Sequence, residues 1–224
     1  MVVKNVILPR FDSFAELHAR LGYVPLDRIC MDPAPGTATE VDLIRFLEAA
    51  DKRLYELIDR TLVEKAVGMR ESMIAAKLIQ HLANHAEERD LGLVAGADGP
   101  YRLVAGLVRL PDVSFIRWQD MPNEELPDEK LSSLSASLVV EVLSGSNTAA
   151  EIARKRDQFF GHGCKLFWVV DPETRSVEVF TSLNRVRYLT ETDTLDGGKL
   201  LPGFSIPVAD LFSLDRRKPR KKKG

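Results

Sequence analysis

The chain has 224 residues, 45% hydrophobic and 29% charged, with a formal net charge of −2, a mix that builds one well-buried core and falls short of two ordinary domains. It contains no run of about 18 apolar residues, which excludes a membrane-spanning helix, and residues 1–14 (MVVKNVILPRFDSF) lack the apolar stretch and small-residue cleavage site of a signal peptide. Two cysteines in unrelated contexts, Cys30 and Cys164, exclude a disulfide scaffold and a zinc knuckle and point to a cytoplasmic protein whose thiols pack as small hydrophobes.

Along the chain, Ser13-Phe14-Ala15-Glu16 has the form of a capping box, so a short helix is expected to Leu21, stopped by Gly22. Residues 30–37 (CMDPAPGT) read as a loop, punctuated by two prolines and a glycine, and Thr39 as the N-cap of a helix to about Ala50. In residues 54–65 (LYELIDRTLVEK), Tyr55, Leu57 and Leu62 alternate with Glu56 and Glu64 around a polar Asp59-Arg60 step. This is the pattern of a β-hairpin at a sheet edge, with a turn that lacks glycine. Residues 69–89 form the clearest helix, with Met73, Ala76, Leu78, Ile79, Leu82, Ala83 and Ala86 at three- and four-residue spacing and Gly92 ending it.

Short strands are expected near 93–97, 101–104 and 112–117, and the polar, proline-containing residues 118–136 read as a surface excursion. Residues 138–144 (LVVEVLS) are a β-branched apolar run holding one acid, the pattern of a strand buried on both faces. Ser146-Asn147-Thr148 caps a helix to His162, which Gly163 ends; residues 166–171 (LFWVVD) make a second buried strand, stopped by Pro172. Edge strands follow at 177–181 and 185–189. Leu201-Pro202-Gly203-Phe204 opens an irregular closing segment that packs back through Leu211 and Phe212. The final stretch, Arg216-Arg217-Lys218-Pro219-Arg220-Lys221-Lys222-Lys223, carries seven positive charges, without which the net charge of −2 becomes −9. The body is therefore acidic, an awkward surface for a duplex, and the tail is either a sequence-independent grip on phosphate or a solvated terminus.

The strand–helix–strand unit at 138–171 implies a parallel pair with a right-handed connection, and the remaining strands are expected to be antiparallel. The fold class is α/β in the α+β sense, a mixed β-sheet flanked by helices. No repeat or linker divides it, so the layout is an N-terminal extension at 1–38, one domain at 39–213 and a basic tail at 214–224.

Glu141 stands where a buried strand should hold a hydrophobe, and an unpaired buried carboxylate costs several kcal/mol. A metal, a cation or a structural salt bridge must compensate it. Asp112 follows Pro111 at the head of another strand, which is also what a turn aspartate looks like. Together, two carboxylates on adjacent strands can hold Mg²⁺ or Mn²⁺, hard cations that prefer oxygen ligands and that activate water for attack on a phosphodiester. Lys155 supplies a positive charge. From Glu141 the strand advances roughly 10 Å to Ser144 at about 3.3 Å per residue, and the following helix returns roughly 12 Å to Lys155 at about 1.5 Å per residue. Lys155 thus comes back level with Glu141, able to orient water or stabilise developing charge, unless it is an ordinary solvated lysine. Arg154 and Arg156 point elsewhere on that helix and are candidates for nucleic-acid phosphate contact.

The set YELID (55–59), the following amphipathic helix, RLPDVSFI (109–116), LVVEVLS (138–144), ARKRDQFFGHG (153–163), LFWVVDPE (166–173) and TLDGGKLLPGFSIPVADLF (194–212) resembles the Uma-type restriction endonuclease family of bacteria. The resemblance covers roughly residues 40 to 212. It implies the PD-(D/E)XK nuclease fold, a magnesium-dependent hydrolase activity on DNA, and pairing as a homodimer as in many nucleases of that fold. It implies that Asp112 is the acid of the PD element and Glu141 the second acid, with Leu143 where a lysine would otherwise stand and Lys155 as the lysine moved to the next helix. Glu56 matches the acid of the YELIDG element and would complete the metal shell. Departures are Arg60 at the usual glycine of that element, Glu71 where histidine often stands, and the extension at 1–38.

Two other readings compete. A nuclease fold without activity would bind nucleic acid or protein, as the acidic body favours. A zinc enzyme could use His81 and His85, one helical turn apart, but Leu82 occupies the place of the glutamate such an enzyme needs and no third ligand is evident, so a solvated helix face is expected there. His162 and Trp168 are expected to be a helix-end residue and a core residue.

Overall fold

The structure is a computed structural model that describes residues 11–50, 53–66 and 68–213; the basic tail lies outside the described residues. In chain order the elements are α1 (Phe14–Arg20), α2 (Glu40–Leu47), β1 (Tyr55–Ile58), β2 (Thr61–Glu64), α3 (Met69–Glu88), β3 (Gly92–Ala95), β4 (Tyr101–Val104), β5 (Leu107–Arg109), β6 (Val113–Arg117), β7 (Leu138–Val142), α4 (Ala149–Gly161), β8 (Leu166–Asp171), β9 (Ser176–Ser182), β10 (Arg185–Leu189), β11 (Thr194–Gly197), β12 (Leu201–Pro207) and α5 (Val208–Leu211).

The strands form a six-stranded sheet in the order β10-β9-β8-β7-β6-β3, a four-stranded sheet in the order β2-β1-β5-β4, and the hairpin β11-β12. β7 and β8 run parallel, with α4 as their crossover, and the other paired strands are antiparallel. Side chains alternate across β7. Leu138, Val140 and Val142 meet α3 and the β12–α5 segment in one core, while Val139 packs with Ile152 and Phe159 of α4 in another. Glu141 has the parity of Val139 and so faces α4. The four-stranded sheet is covered on one side by α2, through Leu43, Tyr55 and Leu57.

The helix starts follow local chemistry. Thr39 and Thr148 each close a full capping box with the acid at N3, Asp42 and Glu151 respectively. At α1 the box is half-formed: Ser13 accepts from the Glu16 N–H, but the Glu16 carboxylate reaches back to the Asp12 N–H instead. The hairpin turn needs left-handed backbone at two positions, and Asp59 (φ 46°) and Arg60 (φ 56°) adopt it without glycine. Arg60 is held there by its guanidinium, which donates to the carbonyls of Gly36 and Thr37.

Several expectations are corrected. The closing segment from Leu201 is not irregular but forms β12, with Leu201, Phe204 and Ile206 turned into the core, paired with a β11 that was not anticipated. Residues 118–136 are not a purely surface excursion, since Met121, Leu131, Leu134 and Ala136 are buried. β5 was not anticipated; three residues are too few to show a period. α2 stops at Leu47. Gly92 does not end a helix but opens β3, where a Cβ would lie 2.0 Å from the Ile116 carbonyl oxygen. On α3 the buried stripe is Ile74, Ala75, Leu78, Leu82, His85 and Ala86, a rotation that leaves Met73 and Ala76 exposed.

The described part of the N-terminal extension does not stand apart. Leu17, Leu21, Val24 and Ile29 pack on Ile58 and Val63 of the β1–β2 hairpin, and Ile29 bridges Val63 as a fragment of added strand.

Candidate active site

The two sheets meet at a buried polar cluster under α4. Glu56 comes from β1, Lys65 from the residue after β2, Arg109 from the end of β5, Asp112 from the head of β6, Glu141 from β7, and Lys155 and Gln158 from one face of α4. Lys155 is 3% exposed, so it is no surface lysine. Its Nζ donates to Glu141 Oε2 at 2.8 Å and pairs with Glu56 Oε1 at 3.0 Å. The return path of α4 therefore brings Lys155 level with Glu141, as the strand and helix rises require.

Glu56 is saturated. Arg109 Nη1 lies 2.7 Å from its Oε2, and its Oε1 accepts from the Leu110 N–H at 2.8 Å as well as from Lys155. Arg109 is itself fully buried and donates through Nε to Gln158 Oε1. Burial opposes the charge of Glu56, but Lys155, Arg109 and the Leu110 N–H outweigh it and hold the carboxyl at about 2.

Glu141 differs. Lys155 engages its Oε2, but its buried Oε1 has no hydrogen-bond partner. Burial pushes its pKa up to about 7; Lys155 opposes that, and the neighbouring charges of Asp112 and Glu56 reinforce it. For Lys155, burial disfavours the charge, but Glu141 and Glu56 outweigh it and raise its pKa further, so it remains an ammonium.

Asp112 sits beside Glu141 through the antiparallel β6–β7 pair. Its own N–H donates to the Val140 carbonyl and its Oδ2 accepts from the Val142 N–H at 2.7 Å. Its Oδ1 is 2.9 Å from Lys65 Nζ, which also donates to the carbonyls of Leu110 and Ala97. At 16% side-chain exposure, Asp112 is the most accessible of the cluster's acids, Glu56 and Glu141 being nearly sealed.

Among the described residues, no three of His, Cys, Asp or Glu converge closely enough to hold a metal ion. Glu56 already faces two cations and a backbone N–H. Asp112 and the orphaned oxygen of Glu141 do suit Mg²⁺, which commonly takes only one or two carboxylates and fills its shell with water and substrate phosphate.

Other candidates fall elsewhere. Arg154 Nη2 donates to the Ala19 carbonyl. Arg156 lies 4.6 Å over the Phe180 ring, pairs with Asp157, and lines a groove of about 430 Å³ between α4 and β8–β9 that Lys155 does not line. Glu71 lies in the first turn of α3, its carboxylate folded over Gly68. The expectation of a solvated His81/His85 face is corrected: His85 is buried, edge-on to Phe204 with Nε2 at 3.2 Å from the Pro202 carbonyl. Trp168 is core, and His162 is the C-cap of α4. Cys30 and Cys164 are free thiols, and burial pushes Cys164 up to about 12. Among the described residues, no helix is long and apolar enough to cross a membrane.

Lys65, Arg109 and Gln158 were missed by sequence reasoning. Their signals were faint: a lysine closing the hairpin, an arginine three residues before Asp112, and a glutamine one helical turn after Lys155.

A fold like this occurs in the crystal structure of a protein from Anabaena variabilis, described as a putative nuclease belonging to DUF820. The two agree with a TM-score of 0.64 at 16% identity, over 72% of this chain and 90% of that one. No curated protein matches the chain. The Uma2 family model, described as "Putative restriction endonuclease", matches residues 42–209. That span runs from α2 through β12 and includes Glu56, Lys65, Arg109, Asp112, Glu141, Lys155 and Gln158, so the chain belongs to the Uma2 restriction-endonuclease-like family.

Proposed function

We propose that the protein is a metal-dependent endonuclease that hydrolyses phosphodiester bonds of DNA at this cluster. The observation that carries the reading is Glu141, a carboxylate fully enclosed by protein yet left with one oxygen unpartnered beside Asp112. A structural salt bridge would be expected to use both oxygens, as Glu56 does.

In this reading Asp112 and Glu141 hold Mg²⁺ or Mn²⁺. Such an ion, when bound, polarises a phosphoryl oxygen and lowers the pKa of its water. Lys65 and the Val142 N–H hold the Asp112 carboxylate in a fixed orientation. Lys155 stays protonated, which suits it to stabilising the charge that builds on the phosphoryl oxygens and not to accepting a proton. Glu56 is assigned a positioning role: with Arg109 and Gln158 behind it, it fixes where the Lys155 ammonium can lie.

A second reading has its own observation. Lys65, Lys155 and Arg109 each already face a carboxylate, so the cluster is also a self-contained ion-pair network that an inactive binding module could keep for stability.

Plasmid and short duplex DNA incubated with the protein and Mg²⁺, Mn²⁺ or EDTA separates the two. Metal-dependent cutting by the wild type, lost in Asp112→Ala and in Lys155→Ala, is expected. Binding without cutting in every metal tested would select the binding module, and cutting that survives Asp112→Ala would move the site.

A further inference from the structure

Lys155 is fixed from the acid side by Glu56 and Glu141, but α4 itself must also be held in register. The residues that hold it come from the N-terminal segment, which precedes the stretch matched by the family. Arg28, 9% exposed, grips Glu151 of α4 with both arms of its guanidinium, at 2.7 and 3.0 Å. The same guanidinium donates to the Glu64 carbonyl, next to Lys65, at 2.8 Å and to the Ser146 carbonyl, in the β7–α4 turn, at 3.1 Å. One side chain therefore ties together the hairpin that ends at Lys65, the turn that leaves the Glu141 strand, and the first turn of the helix that carries Lys155. The backbone around it is equally close. Thr148 Oγ1 donates to the Gly22 carbonyl at 2.5 Å, and a Cβ on Gly22 would lie 2.8 Å from the Glu151 backbone.

Charge gives the contact a second consequence. Glu151 is 1% exposed and precedes Lys155 by four residues, on the same face of α4. It is a third carboxylate within electrostatic reach of the ammonium. Burial works against its charge, but the hydrogen bonds and charge of Arg28, together with Lys155 and Asn147, keep it ionised. A planar fork that takes both carboxylate oxygens leaves Glu151 little capacity for another partner. Without Arg28, a buried and uncompensated Glu151 would compete with Glu56 and Glu141 for Lys155.

We propose that Arg28 is a positioning residue of the active site: by capturing Glu151 it commits Lys155 to Glu56 and Glu141 and sets α4 against the hairpin. This rests on the nuclease reading only in so far as Lys155 acts in cleavage. The placement of Lys155 is a separate claim and is tested separately.

The test compares wild type, Arg28→Met, Arg28→Lys and the double variant Arg28→Met with Glu151→Gln, in which glutamine preserves the capping box but removes the charge. Each is first checked for a cooperative thermal transition. Lysine acetylation read by mass spectrometry should leave Lys155 protected in the wild type, label it at least several-fold faster in Arg28→Met, and protect it again in the double variant. In the cleavage assay, Arg28→Met should lower kcat on the order of 100-fold, the effect of a misplaced catalytic group, with KM for DNA changed less than about 3-fold. Arg28→Lys should fall between, and the double variant should recover most of the loss. Folded Arg28→Met protein with Lys155 still protected overturns the proposal, as does a labelling increase that Glu151→Gln fails to reverse. If the wild type cuts nothing while the labelling pattern holds, the nuclease reading fails and the positioning of Lys155 by Arg28 stands.

Discussion

Glu56, on the hairpin side of the site, and Glu141, on the long-sheet side, share one lysine and are almost equally buried at 2% and 4% exposure, yet their acidities lie far apart, at about 2 and about 7. Burial disfavours the charge of both by similar means. They differ in what surrounds them. Glu56 meets a guanidinium, an ammonium and a backbone N–H; Glu141 meets one ammonium, two other acids nearby and nothing at Oε1. The hairpin side is thus built as a satisfied network, and the long-sheet side keeps an incomplete one. A saturated buried acid contributes to holding the fold, whereas an unsaturated one is a cost tolerated at a functional position.

If that contrast is right, the two acids respond oppositely to the same isosteric change. Glu56→Gln leaves Arg109 buried without its counter-charge and should cost about 3–5 kcal/mol of stability, seen as a lower urea midpoint. Glu141→Gln removes a carboxylate that was poorly compensated and should cost less than about 1.5 kcal/mol, the scale of one net hydrogen bond, while cleavage falls by about 10²–10³-fold, the loss typical of a key electrostatic group. Equal destabilisation by both changes would erase the distinction between the two sides.

The pH dependence of stability sharpens it further, measured in EDTA to keep metal out. Glu56 has a folded pKa of about 2, below its ordinary 4.5. Between those values the unfolded chain binds more protons, so its contribution is full above about 4.5 and is lost as pH falls towards 2. Glu141 has a folded pKa of about 7, above 4.5. In that window the folded chain binds more protons, so its contribution is full below about 4.5 and is lost as pH rises through 7. Urea titrations of wild type and Glu141→Gln should therefore diverge between about pH 4.5 and 7, the wild type losing stability relative to the variant as pH rises. Parallel pH profiles for the two proteins would mean that Glu141 does not titrate in this window.

The sequence disclosed this contrast unevenly. Glu141 was legible because an acid in LVVEVLS breaks a pattern, and Lys155 because strand and helix rises bring it back to that acid. Glu56 was visible only as a hairpin acid, and nothing in YELID tells a saturated carboxylate from a metal ligand. Its partners lie far along the chain: Arg109 is 53 residues away and Leu110 is 54. Local pattern carries no information about such pairs. The same limit hid Lys65 and Arg28, whose partners are set by how the two sheets and the N-terminal segment meet. The edges of regular elements failed for a different reason. The strand β12 holds Pro202 and Gly203, and these punctuation residues separate Leu201 from the alternating Phe204 and Ile206 and so hid the strand.

The kind of partner also separates two arginines that the sequence treated alike. Arg154 is half-buried and donates to the Ala19 carbonyl, a fixed backbone partner that ties it to the protein itself. Arg154→Ala should cost about 1 kcal/mol of stability and leave the salt dependence of DNA binding unchanged. Arg156, its own side chain 19% exposed, donates to Asp157, whose side chain is 54% exposed, and a partner that open to solvent holds it weakly and is readily exchanged for another anion. Arg156→Ala should therefore barely move the urea midpoint but reduce the slope of log K against log salt by about 0.9, one phosphate contact. The paired measurement is a salt titration of duplex binding by both variants. Should Arg154→Ala lower the slope as much as Arg156→Ala, the identity of the partner, backbone carbonyl or solvent-exposed carboxylate, would not distinguish structural from ligand-facing charges on α4, and the argument drawn from Glu56 and Glu141 would not extend to the cations.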